Sequence, residues 1–165
     1  MFVHGCAVEI KSKEEIWLIG NVGETNNRIL SFDLQNHTFK ELPTKLIIGR
    51  SHHECLVTKI GNTEVILVTG GYSGPKNCIR EKSVEIINIQ TGNVTLSSPL
   101  NVYRVGHGMG ILNIKNQPKI AVFGGYTGLV QTRSIEIFDQ ETLKWDKSKE
   151  IKMDEFRSSF GYFNV

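Results

Sequence analysis

Residues 104–146 read RVGHGMGILNIKNQPKIAVFGGYTGLVQTRSIEIFDQETLKWD, four short apolar runs with a Gly-Gly pair and a late Trp. The first run, 107–114, ends at the turn-forming stretch Lys115-Asn116-Gln117-Pro118. The second, 119–123, reaches Gly124-Gly125, the third is 134–138, and the fourth is centred on Trp145. Runs of this length bounded by Gly, Pro, Asn and charged turns are expected to be β-strands rather than helices. With short first and third links and a longer middle one, the four strands make an antiparallel meander.

The pattern occurs three times. Gly124-Gly125 is preceded by Gly70-Gly71 and, more weakly, by Gly20-Asn21. Arg50, Arg104 and Arg157 open successive units, and His53, His107 and Phe160 follow three residues later, with His4 at the matching place at the amino end. Asp33, Asn88 and Asp139 close the third strand, and Phe39, Val94 and Trp145 stand six residues further on. A period near 50 with four strands per unit points to propeller blades. The units are repeat 1 at about 4–49, repeat 2 at about 50–103 and repeat 3 at about 104–156, with 157–165 starting a further blade.

GGYTG, IEIFD and the spaced Trp145 resemble a kelch repeat, and GGYSG with VEIINI carries the resemblance into the second unit, where Val94 replaces the Trp. In the first unit IGNV stands for the Gly pair and Phe39 for the Trp. The resemblance covers essentially the whole chain. It implies an all-β fold: a single domain, residues 1–165, forming an incomplete kelch-type β-propeller arc of three four-stranded antiparallel blades. Candidate strands in the first blade are 4–10, 16–20, 29–33 and 38–42; in the second, 53–60, 64–69, 83–89 and 93–97. The glycines are expected to let neighbouring backbones approach closely at the hub. Trp145 is expected to fill the wedge between blades.

Composition fits a soluble domain: 165 residues, 39% hydrophobic and 22% charged. A formal charge of +2 gives no indication of nucleic acid, and no run of 18 apolar residues suggests a membrane span. The stretch MFVHGCAVEI has neither a basic lead nor a long apolar segment, so a cytoplasmic location is expected. The sequons at Asn36 and Asn93 therefore carry no weight. Cys6, Cys55 and Cys78 are too dispersed for a zinc motif or a disulfide framework. Cys6 and Cys55 lie two residues past aligned histidines, where Met109 and Tyr162 stand elsewhere, and are expected to be buried reduced thiols.

Catalysis finds little support. Glu14-Glu15 and Asp154-Glu155 are adjacent acids read as solvated, and Asp33, Asn88 and Asp139 are expected to accept turn amides. His52 and His53 alternate across a strand and cannot share one metal. The recurrence of His4, His53 and His107 is read as packing or hydrogen bonding. Tyr72 and Tyr126 are read as packed beneath the loops. GGYSGPK lacks the spacing of a P-loop and precedes a strand. No cofactor, metal or enzymatic activity is expected.

Charge sorts by face. The second links, 21–28, 72–82 and 126–133, carry 0, +2 and +1, and the crossings, 42–52, 96–106 and 147–157, carry +2, +1 and +1, a total of +7. The links at the other end total +1. A one-signed face steers oppositely charged partners. The expected docking residues are Arg50, Lys76, Arg80, Lys82, Arg104 and Arg133, facing a protein partner with an acidic segment. The kelch resemblance implies a protein-interaction module, like the substrate receptors of cullin-type ubiquitin ligases or actin-binding proteins. The BTB or F-box companion of the ligase receptors is absent from this chain. A fragment of a propeller oxidase or sugar isomerase is the alternative. Three blades are fewer than a ring needs, so a partial copy of a longer protein and self-association through open blade faces are also expected.

Overall fold

The computed structural model describes residues 4–23, 26–74, 78–128, 130–155 and 157–158, without the side chains of 148–151. Three four-stranded antiparallel sheets follow one another along the chain. The first is β1 (Cys6–Ile10), β2 (Glu15–Ile19), β3 (Arg28–Asp33) and β4 (Thr38–Lys45), paired in chain order. The second orders β6 (Glu54–Ile60), β7 (Thr63–Thr69), β10 (Val84–Asn88) and β11 (Val94–Ser97) in the same way. The third is β12 (Gly108–Ile114), β13 (Gln117–Phe123), β14 (Ser134–Asp139) and β15 (Lys144–Lys152). A small sheet, β5 (Arg50–Ser51), β8 (Tyr72–Ser73) and β9 (Ile79–Arg80), sits in the links of the second unit.

The strands lie where alternation and turn chemistry put them. Asp33 Oδ1 accepts the Gln35 and Asn36 amides, both at 2.9 Å, and Asp139 Oδ1 accepts those of Glu141 and Thr142 at 2.9 and 3.0 Å. Asn88 does the same for Gln90 and Thr91, so one local device closes all three third strands. The third unit departs from expectation at its first turn. Only Lys115 and Asn116, at φ 51° and 59°, form the turn, and β13 already includes Pro118. This is the two-residue hairpin whose twist suits the strands. Pro118 is tolerated because the β13–β14 ladder begins at Ile120, so no strand asks for its missing N–H.

The core is the filling between sheets. One cluster joins the first and second sheets through Ile10, Trp17, Ile19, Ile66 and Val68. Another joins the second and third through Leu67, Met109, Phe138 and Trp145, with Trp145 tilted on Phe138 at a ring-centroid distance of 4.9 Å. Phe39, at the place of Trp145 in the first sheet, is 64% exposed because it faces away from the second sheet. Neighbouring backbones meet through glycine at the ends of the second strands. A Cβ on Gly70 would lie 2.5 Å from the Arg104 carbonyl oxygen, and one on Gly71 2.4 Å from that of Ser51, both at positive φ.

The cysteines correct an expectation. Cys6 and Cys55 are buried, but they are joined in a disulfide and are not reduced thiols. Their Cα atoms are 6.0 Å apart because β1 and β6, though distant in sequence, are edge strands of two sheets that pack against each other. Among the described residues no helix is long and apolar enough to cross a membrane.

Candidate docking face

The antiparallel order places the β2–β3, β7–β10 and β13–β14 links and the crossings between sheets at one end. Backbone hydrogen bonds tie them together there: Asn21 N–H to Arg50 O at 3.1 Å, Gly71 N–H to Arg104 O at 2.7 Å, and Gly125 N–H to Arg157 O at 2.7 Å.

Two of the expected docking residues are removed from this surface. Arg50 and Arg104 have no exposed area. Arg50 donates from Nη1 to Gly70 O at 2.9 Å and Ser83 O at 3.1 Å, and from Nη2 to Glu85 Oε1 at 2.7 Å. Arg104 repeats the arrangement, with Nη1 to Gly124 O at 2.8 Å, Nη1 to Ser134 O at 3.1 Å and Nε to Glu136 Oε1 at 3.1 Å. The carboxylates also hold the crossings. Glu85 accepts the amides of Ile47 and Ile48 at 2.7 and 3.1 Å, and Glu136 accepts the Asn101 amide at 2.6 Å. Each arginine is a buried clamp, with every guanidinium nitrogen hydrogen-bonded, and presents no charge at the surface. Without them the charge at this end falls from +7 to +5. The sequence signal for the clamp was Ser-x-Glu, at 83–85 and 134–136, downstream of each Arg.

Arg80 and Arg133 are exposed on this end, with Arg133 reaching the Asp154 carbonyl at 3.3 Å. Lys82 is half-buried, its Nζ 5.7 Å from the ring centre of Tyr103. Lys76 lies outside the described residues. Beside these cations stand exposed apolar side chains that charge sorting passed over. Val22, Ile47, Ile79, Tyr103, Tyr126 and Val130 all lie on the links and crossings of this end, whereas Leu34 is the one large hydrophobe exposed in the links of the opposite end among the described residues. Their signal was the presence of bulky apolar residues inside links. The clamps position two of them, since Glu85 bonds the amide of Ile47 itself and Glu136 bonds that of Asn101, two residues before Tyr103.

Tyr72 packs, as expected, edge-on against His52 at 5.8 Å, while Tyr126 is open to solvent. His52 in turn stacks on His4 at 4.0 Å. His53 and His107 turn inward and are buried, and His107 Nε2 lies 2.8 Å from Thr69 Oγ1. Burial, reinforced by the Arg50 charge, lowers the His53 pKa to about 3, and burial with Arg104 lowers that of His107. Packing between sheets accounts for the recurrence of His53 and His107. Among the described residues no group of three or more His, Cys, Asp or Glu side chains could hold a metal ion. Burial raises the carboxyl pKa of Glu54, on β6, to about 8.

No protein-family model matches this chain, and no curated protein matches it. Among solved structures, the chain is similar to that of YjhT, with a TM-score of 0.69 and 14% identity over 90% of this chain and 53% of that one. The chain thus spans about half the length of the structure it matches, and at that identity the likeness is one of fold alone.

Proposed function

We propose that this chain is a kelch-type propeller segment whose crossing-side loops dock a protein partner through an acidic segment flanked by apolar residues. The observation that carries the reading is the coincidence, at one end of the sheets, of six exposed large hydrophobes with the exposed cations Arg80 and Arg133. Protein interfaces combine a desolvated apolar and aromatic centre with a charged rim, and a one-signed rim speeds encounter with a partner of opposite sign. The clamped crossings support it further, because a preorganised surface loses less entropy on binding.

The test is capture of partners from extract by the immobilised chain, followed by salt titration of each captured complex. Binding is expected to weaken as salt rises, since exposed charges are screened beyond about 8 Å at physiological ionic strength. Arg80→Glu with Arg133→Glu, and separately Ile79→Ser with Tyr103→Ala, should each weaken capture without changing the melting temperature. A partner held equally at high salt and by all these variants would overturn the reading.

A further inference from the structure

We propose that Cys6 and Cys55 are a reversible redox pair that fastens the first sheet to the second, beside the crossing whose Ile47 and Ile48 amides Glu85 holds. The two residues lie on the edge strands β1 and β6 of neighbouring sheets, 49 residues apart in sequence. Both are buried in the apolar cluster that contains Trp17, Ile19 and Ile66. Their Cα separation of 6.0 Å is within the ordinary range for a disulfide.

A second observation gives the bond its place. The amides of Gly20, Gly70 and Gly124 are bonded to the carbonyls of Arg28, Ser83 and Ser134, which aligns the three third strands. Leu30 then stands where the second and third sheets have Glu85 and Glu136, and Arg28 stands where they have serine. Arg28 pairs instead with Glu41 at the surface. Among the described residues the first sheet thus has no counterpart of Glu85 and Glu136 on its own third strand; the crossing into the second sheet is held by Glu85, and the disulfide adds a covalent tie between β1 and β6. At the corresponding place between the second and third sheets is Met109, whose sulfur makes only a 3.7 Å contact with Thr69 Oγ1.

The chemistry is thiol–disulfide exchange. One cysteine thiolate attacks a low-molecular-weight disulfide such as glutathione disulfide, forming a mixed disulfide and releasing one thiol. The second cysteine thiolate displaces the other thiol and closes the Cys6–Cys55 bond. The protein gives up two electrons and two protons, and the small disulfide becomes two thiols. A dithiol reverses the sequence. Because both sulfurs are buried, attack follows opening of β1 from β6, so exchange reports local opening of the first sheet.

The test equilibrates the full chain in glutathione buffers of graded thiol-to-disulfide ratio, then counts alkylated thiols and follows amide hydrogen exchange. At the oxidised end one thiol, that of Cys78, should be alkylated, and digestion should release a Cys6–Cys55 crosslinked peptide. At the reduced end all three should be alkylated. Exchange in β1 and β2 should then rise about tenfold or more, as expected of a locally opened unit, while β10 and β14 stay within about twofold. The double variant Cys6→Ser with Cys55→Ser should show the reduced pattern in every buffer; if it does not fold, the titration of the unaltered chain gives the same readout. Three alkylated thiols in the most oxidising buffer, or a crosslink through Cys78, would overturn the proposal. So would unchanged exchange in β1 on reduction, or an equal rise in all three sheets.

Discussion

Arg104 and Glu136 meet at 3.1 Å with no solvent-exposed area on either side chain, and Arg50 and Glu85 repeat the contact at 2.7 Å in the preceding unit. Each pair joins the start of a unit to its third strand, and each carboxylate also holds backbone amides of the crossing. A buried ion pair is costly to assemble but costlier to break, since removal of one member strands the other without water. Glu136→Leu alone should destabilise the chain by about 3–5 kcal/mol in denaturant unfolding. Arg104→Met with Glu136→Leu should cost clearly less than either single change. A double variant as unstable as the sum of the singles would show that the pair acts through other contacts.

Gly70 admits no side chain. A Cβ there would lie 2.5 Å from the Arg104 carbonyl oxygen and 2.9 Å from the His107 ring, and its φ of +61° is unfavourable for L-residues. Gly70→Val should destabilise by several kcal/mol, about the size of the larger single-site effects. Gly61, also at positive φ but with open space around it, is the control. Gly61→Ala should cost only the roughly 1–2 kcal/mol of the left-handed backbone.

The aromatics of the fourth strands should differ sharply. Trp145, 5% exposed and packed on Phe138, should cost about 3–5 kcal/mol when changed to alanine. Phe39, 64% exposed at the equivalent place, should cost under about 1 kcal/mol when changed to serine. Equal effects in thermal or denaturant unfolding would mean that Trp145 is not wedged between the sheets.

Stability should pass through a maximum near pH 6.5. The folded pKa of Glu54 is raised to about 8, so its protonated form is favoured, and stability falls as pH rises from the ordinary carboxylate range through 8. His53, lowered to about 3, and His107, lowered in the same direction, favour the neutral ring. Their contribution is complete above about pH 6.5 and is lost as pH falls below it. The protons of His53 and His107, with that of His52, whose pKa burial also lowers, outweigh one carboxyl proton on the acid side, and Glu54 acts alone on the alkaline side. Melting temperatures of Glu54→Gln should therefore stop declining between pH 6.5 and 8. A decline equal to that of the parent would remove Glu54 as its source.

Much of the architecture could be read in the residues because it rests on local chemistry. Period-2 alternation fixes which face of a strand is buried, and Asp33, Asn88 and Asp139 close their turns through amides two and three residues away. The two-residue turn at Lys115-Asn116 was missed because Pro118 reads as a turn residue until the end of the β13–β14 ladder is known. The candidate site was legible only in part. Arg80 and Arg133 stand exposed at the expected end, but Arg50 and Arg104, identical to them as charges in a sequence, are buried by carboxylates 35 and 32 residues away. Likewise, the position of Cys6 marked it as a packing residue, yet only the approach of β1 to β6 made Cys55 its partner. The sequence alone determined the order of the strands and the Asx turns that close the third ones, because neighbours along the chain settle those. The tertiary structure decided which arginines are exposed and which thiols are bonded, because burial and pairing depend on groups that only folding brings within a few ångströms.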